Sequence, residues 1–144
     1  MSSWDTRTYQ RGDVVWSIDP FRLAGEARSI IDAGDSTEVD EGEIKTRPCL
    51  ILSDNSHPFH GTQYLVVALT TTDRLISHPL EERYWARGGT PKQSYVSPWS
   101  VYSPLHSHFV PPPAQDAITD PYIGALHGWF VDRVAEETRH YLTP

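Results

Sequence analysis

Two uninterrupted apolar runs constrain this chain most. Pro48-Cys49-Leu50-Ile51-Leu52-Ser53 and Tyr64-Leu65-Val66-Val67-Ala68-Leu69 show no alternation of apolar with polar residues. A strand with one wet face must alternate, so these runs predict central strands covered on both faces. Asp54-Asn55-Ser56-His57-Pro58 between them is turn chemistry. Earlier, Arg11-Gly12-Asp13 predicts a turn into a short β-branched and aromatic strand, Val14-Val15-Trp16, stopped by Asp19-Pro20. Later, His78-Pro79-Leu80-Glu81 predicts a weaker strand at a sheet edge, marked by Pro79. Gly88-Gly89 breaks the chain, and residues 94–101 form a further strand interrupted by Pro98. Pro111-Pro112-Pro113 then closes the sheet region as a stiff linker. The tail changes period: Trp129, Phe130, Val134 and Tyr141 fall at helical spacing, predicting a helix over 128–142. Strands followed by one amphipathic helix predict a mainly β barrel or curled sheet with the helix packed across it.

At 144 residues the chain is one domain's worth. Residues 1–10 are polar and expected to be flexible, leaving 11–144 as the domain. Residues 21–46 show no strand pattern beyond a helical turn at 27–33, and carry six acids between Asp32 and Glu43. They predict a long acidic loop. No apolar run reaches the roughly 20 residues of a membrane helix, and Met1–Asp5 has no signal-like start. Together with a single cysteine, Cys49, this makes the cytoplasm the expected location. Cys49 itself, inside an apolar run, is expected to be inert packing. The net charge is −7, and only Lys45 and Lys92 among the twelve bases are lysine. That balance suits a salt-adapted surface and argues against a general nucleic-acid coat, though not against a local cationic site.

The order of short motifs is more specific. Arg11-Gly12-Asp13-Val14-Val15-Trp16, Asp19-Pro20, a variable loop, Thr46-Arg47-Pro48-Cys49-Leu50-Ile51-Leu52-Ser53 and a strand ending at Thr70 resemble the MazF/PemK family of toxin endoribonucleases. The strand at 94–101 and the closing helix around Val131–Glu136 fit the same order, so the resemblance spans residues 11–142. It implies an SH3-like barrel, a homodimer, metal-free cleavage of single-stranded RNA without a cofactor, and a cognate antitoxin. It carries Arg47 and Thr70 over as the catalytic pair. A guanidinium is planar, permanently charged and grips phosphate with two parallel hydrogen bonds; a threonine hydroxyl adds a third donor. Pro48 forces Arg47 into extended geometry at the rim of the strand. Some relatives carry an arginine and an aspartate in the later core strand. Here Tyr95-Val96-Ser97-Pro98-Trp99-Ser100 has neither, so proton transfer has no assigned residue there.

Other residues are RNA-binding candidates. Arg83-Tyr84-Trp85-Ala86-Arg87 interleaves charge with aromatics, which makes Arg83, Trp85 and Arg87 a base-stacking, phosphate-binding segment. It reads equally as a sheet edge with solvated arginines. His57 and His60 are candidates for the missing acid or base, because imidazole titrates near neutrality. Neither His57-Pro58-Phe59-His60 nor His106-Ser107-His108 has the spacing of a metal site, so no metal is expected. Loop 32–43 is a candidate cover for the Arg47 groove, its carboxylates standing in for RNA phosphates. The alternative from another class is a catalytically silent SH3-like module binding nucleic acid or protein, which the uncharged 95–100 segment favours. A toxin of the same fold acting on a protein target such as a topoisomerase finds no support in these motifs.

Overall fold

The two apolar runs become neighbours at the centre of one sheet. The computed structural model describes residues 6–19, 45–74, 76–113 and 115–142. The helical turn predicted at 27–33 and nearly all of the acidic loop therefore lie outside the described residues. The chain forms β1 (Asp13–Ile18), β2 (Thr46–Ile51), β3 (Val66–Thr70), β4 (His78–Pro79), β5 (Trp85–Gly88), β6 (Tyr95–Tyr102), β7 (Tyr122–Leu126) and α1 (Gly128–His140). All strand pairs are antiparallel, in the order β4-β6-β3-β2-β1-β7-β5.

The absence of alternation in β2 and β3 has a direct cause. Successive side chains point to opposite faces, and both faces carry a core. On one face Leu50, Val67 and Leu69 meet Val14, Val96 and Leu126 under Phe130, Val131 and Val134 of α1. On the other, Cys49, Ile51 and Val66 meet Tyr9, Val15, Tyr64 and Phe109. The first core is mostly aliphatic and helix-covered; the second is rich in aromatic rings. The N-terminal segment is needed to close it. Residues 6–10, expected to be flexible, are held in place: Tyr9 is fully buried, its N–H donates to Tyr64 Oη at 3.2 Å, and Arg7 forks onto Asp120 at 3.2 and 2.8 Å. One aromatic residue in a polar stretch was enough to anchor it.

The predicted turn at Gly12 is present. Its φ of 95° suits glycine, and its N–H donates to the Ile51 carbonyl at 2.8 Å, tying β1 to β2. β6 runs through Pro98 instead of stopping there. Its pairing with β3 jumps from Val67↔Val101 to Ala68↔Ser97, so the proline sits in an irregularity that needs no ladder donor from it. The Thr138 hydroxyl of α1 donates to the Pro98 carbonyl at 2.8 Å.

Two expectations need correction. The sheet does not end at Pro111–Pro113: β7 follows and inserts between β1 and β5. Its Gly124 permits a close approach, since a Cβ there would lie 2.3 Å from the Arg87 carbonyl oxygen. Of the two readings of residues 83–87, the structure shows the sheet edge, with Trp85–Gly88 as edge strand β5. The helix is where its period predicts, but its phase differs. The buried positions are Phe130, Val131, Val134 and Thr138, while Trp129 and Tyr141 are about half exposed.

The two edge strands, β4 and β5, are consecutive in sequence, separated only by residues 80–84. A flat seven-stranded sheet is about 29 Å across at the usual strand spacing. Six extended residue steps reach only about 20 Å. The sheet must therefore curl. Leu80 and Tyr84 of the connection point into the helix-covered core, Tyr84 stacking on Phe130 with ring centroids 4.3 Å apart. The result is the mainly β, barrel-like single domain with a C-terminal helix that the pattern predicts.

Candidate active site

The β2–β3 register pairs Cys49 with Ala68 and Leu50 with Val67. Continued two residues toward the strand ends, it sets Arg47 opposite Thr70. Both line one cleft of about 710 Å³. Trp16 of β1, Tyr122 and Ile123 of β7, Thr71 and Thr72 after β3, and Gly89-Thr90-Pro91-Lys92 after β5 complete most of its wall. Curling is what brings the β5–β6 loop over the ends of β2 and β3.

The Arg47 side chain is 44% exposed, and its Nε lies 3.3 Å from Oδ2 of Asp19, a carboxylate only 5% exposed. Asp19 ends β1's run, and its N–H donates to the Lys45 carbonyl at 2.9 Å. Nε–Oδ2 is the shortest Arg47–Asp19 approach, and among the described residues no hydrogen bond engages Nη1 or Nη2 of Arg47. The Thr70 hydroxyl accepts the Thr72 N–H at 3.1 Å, which fixes its oxygen and leaves its own hydrogen to donate. The described lining residues include two cations, Arg47 and Lys92, and no carboxylate. A chain of net charge −7 thus lines this cleft, among the described residues, with cations as its only charged side chains. The hydroxyls of Thr46, Thr70, Thr90 and Ser94 and the rings of Trp16 and Tyr122 complete a surface suited to phosphate, sugar and base.

The other sequence candidates lie elsewhere. Arg83 pairs with Glu81 at 3.2 Å and sits over the Tyr84 ring. Arg87 is exposed on β5, where its charge favours ionised Asp13. Trp85 packs partly against the helix-covered core. His57 Nδ1 accepts the Phe59 N–H at 3.0 Å, and His60 meets the Tyr64 ring edge-on. None of these five lines the cleft. Conversely, Lys92 and Tyr122 line it and were not singled out from sequence. The available signal was the Gly88-Gly89-Thr90-Pro91-Lys92 stretch, a turn that presents one of only two lysines. Cys49 is fully buried, and burial pushes its thiol up to about 12, the inert packing expected of it. Among the described residues, no group of three or more His, Cys, Asp or Glu is arranged to hold a metal, and no helix is long and apolar enough to cross a membrane.

The architecture is one that endoribonucleases use. An endoribonuclease from a mycobacterial species is similar over 95% of this chain and 93% of its own, with a TM-score of 0.53 and 18% identity. A mycobacterial endoribonuclease in complex with its cognate antitoxin is similar over 93% and 94%, with a TM-score of 0.51 and 20% identity. At these identities the likeness is one of fold. No family model and no curated protein matches the sequence.

Proposed function

We propose that the protein is the toxin of a type II toxin–antitoxin pair, a cytoplasmic endoribonuclease of the MazF/PemK kind. It cleaves single-stranded RNA, messenger RNA in particular, without a metal ion and acts as a homodimer held in check by an antitoxin. One observation carries this reading: Arg47 and Thr70, which the β2–β3 register continued beyond Cys49↔Ala68 sets opposite each other, line a single cation-bearing cleft. The likeness in fold to an endoribonuclease complexed with its antitoxin supports the partner.

The chemistry follows from that placement. The 2′-oxygen bonds to phosphorus as the P–O5′ bond breaks; the 2′-hydroxyl proton leaves and the 5′-oxygen gains one. The products are a 2′,3′-cyclic phosphate and a 5′-hydroxyl. Arg47 grips two phosphate oxygens through its terminal nitrogens and Thr70 donates to the developing charge. Lys92 holds a neighbouring phosphate from the opposite wall, while Trp16 and Tyr122 offer faces to the bases.

The test is incubation of purified protein with single-stranded RNA and a chelator, followed by end-group analysis. Cyclic phosphate and 5′-hydroxyl ends, lost in Arg47→Ala, are expected. Intact RNA bound in the cleft favours the catalytically silent module instead. That second reading draws on one feature: the ionisable groups among the described lining residues are two cations and the Tyr122 phenol, whose pKa burial raises. No group in the set ordinarily titrates near neutrality.

A further inference from the structure

The Arg47–Asp19 contact has an unusual direction for an arginine on the rim of a strand. A surface arginine commonly spends its two terminal nitrogens on a carboxylate, fork to fork; Arg7 does so on Asp120. Arg47 instead meets Asp19 through Nε, at 3.3 Å. The Nε side of the guanidinium is the one nearest the carboxylate, and among the described residues neither terminal nitrogen makes a hydrogen bond. The acceptor is well chosen for fixing an orientation. Asp19 is 5% exposed, while Arg47 is 44% exposed. A buried carboxylate must keep its partners, because an uncompensated buried charge is costly. The backbone of Asp19 is itself fixed by the bond to the Lys45 carbonyl. The β1–β2 register sets Ser17 beside Arg47. Burial first, and then neighbouring groups that include Asp19, hold the Tyr102 phenol protonated.

We infer that Asp19 is a positioning residue: it holds the Arg47 guanidinium by Nε so that Nη1 and Nη2 are presented together to the scissile phosphate. This rests on the proposed RNA cleavage and adds the group that orients its central cation. Rotamer freedom in a half-exposed arginine is large, and misplacement by about 1 Å can cost on the order of 10²-fold in rate. The same carboxylate also offsets Arg47's charge, so removing it should affect binding and turnover in opposite directions. A residue that only stabilises the fold would lower both.

The experiment uses Asp19→Asn, which keeps size and an acceptor but removes the charge, with Asp19→Glu as the conservative variant should the first not fold. Two readouts are taken. The first is the Arg47 Nε–H resonance in the free protein, assigned by its loss in Arg47→Lys. The second is kcat on single-stranded RNA alongside the Kd of a 2′-deoxy strand that cannot be cleaved. The expected result is faster solvent exchange and a shifted Nε–H resonance, a fall in kcat of about 10- to 100-fold, and Kd unchanged or tighter. Arg47→Lys, with no Nε–H to hold, should be nearly insensitive to Asp19→Asn in a double-mutant cycle. An unchanged Nε–H resonance overturns the contact. Unchanged kcat, or kcat and binding weakened together, overturns the positioning role. If the wild-type protein leaves RNA intact, the nuclease reading fails by itself. The Nε–H resonance and the deoxy-strand Kd then decide whether Asp19 orients Arg47 toward phosphate.

Discussion

Two arginine-bearing regions of this sheet show what separates a cation from a site. On edge strand β5 and the turn before it, Arg83 closes on Glu81 and lies over the Tyr84 ring, while Arg87 supports the charge of Asp13. That region lies outside the cleft and its charges have work within the protein. At the ends of β2 and β3, Arg47 approaches Asp19 most closely through Nε, in a cleft with Lys92, Thr70 and two aromatic rings. Sequence makes the first region look richer, with two arginines and two aromatics in five residues. Concavity and unspent donors favour the second.

The sharpest way to break this comparison is Arg47→Ala. It should remove on the order of 10²–10³ in kcat, measured on a defined oligonucleotide, while the melting temperature holds. Full activity in a folded variant sinks the cleft as the reacting centre. Thr70→Val keeps the strand-forming shape and deletes one donor; a loss of about 10²-fold is expected, and an unaltered rate would return Thr70 to a turn-capping role. Lys92→Ala should act on binding more than on turnover. For a single strand the slope of log Kd against log salt should shrink by about 0.7, one phosphate contact fewer; an unchanged slope removes Lys92 from the RNA path.

The smallest effects are expected on β5. Arg83→Ala and Arg87→Ala should leave RNA affinity essentially intact, and a large loss there would reverse the contrast between the two regions. Arg87→Ala should instead cost stability, by under about 1 kcal/mol for so exposed a charge. Its sign follows from Asp13. Burial raises the carboxyl pKa of Asp13 above its ordinary value, and Arg87 partly counters that. The stabilisation by Arg87 requires ionised Asp13. It is therefore present at neutral pH and lost as pH falls through the raised carboxyl range, which thermal melts at several pH values would show.

The legible parts of the fold were those in which local pattern and final environment coincide. β2 and β3 read as covered strands because both of their faces are covered, and α1 read as a helix because one of its faces is. The phase of α1 was harder to read. Trp129 and Tyr141 are large and apolar enough to look internal, but Phe130, Val131, Val134 and Thr138 face the sheet. β7 was hidden by its glycine, whose reason lies in the carbonyl of Arg87 more than thirty positions earlier. Tyr9 was hidden by polar neighbours. At the candidate site, motif order named Arg47 and Thr70, which the structure places in one cleft, and included Asp19 only within Asp19-Pro20, with no role of its own. Lys92, Trp16 and Tyr122 converge only once the sheet curls, so no local window contains the cleft.

The short connection at residues 80–84 therefore acts as a buckle. It joins the two margins of the sheet and sets how far the loop bearing Lys92 stands from the strand bearing Arg47. Lengthening it with a few glycines would loosen the jaw without touching a tooth, separating the gap between the two charges from their identity.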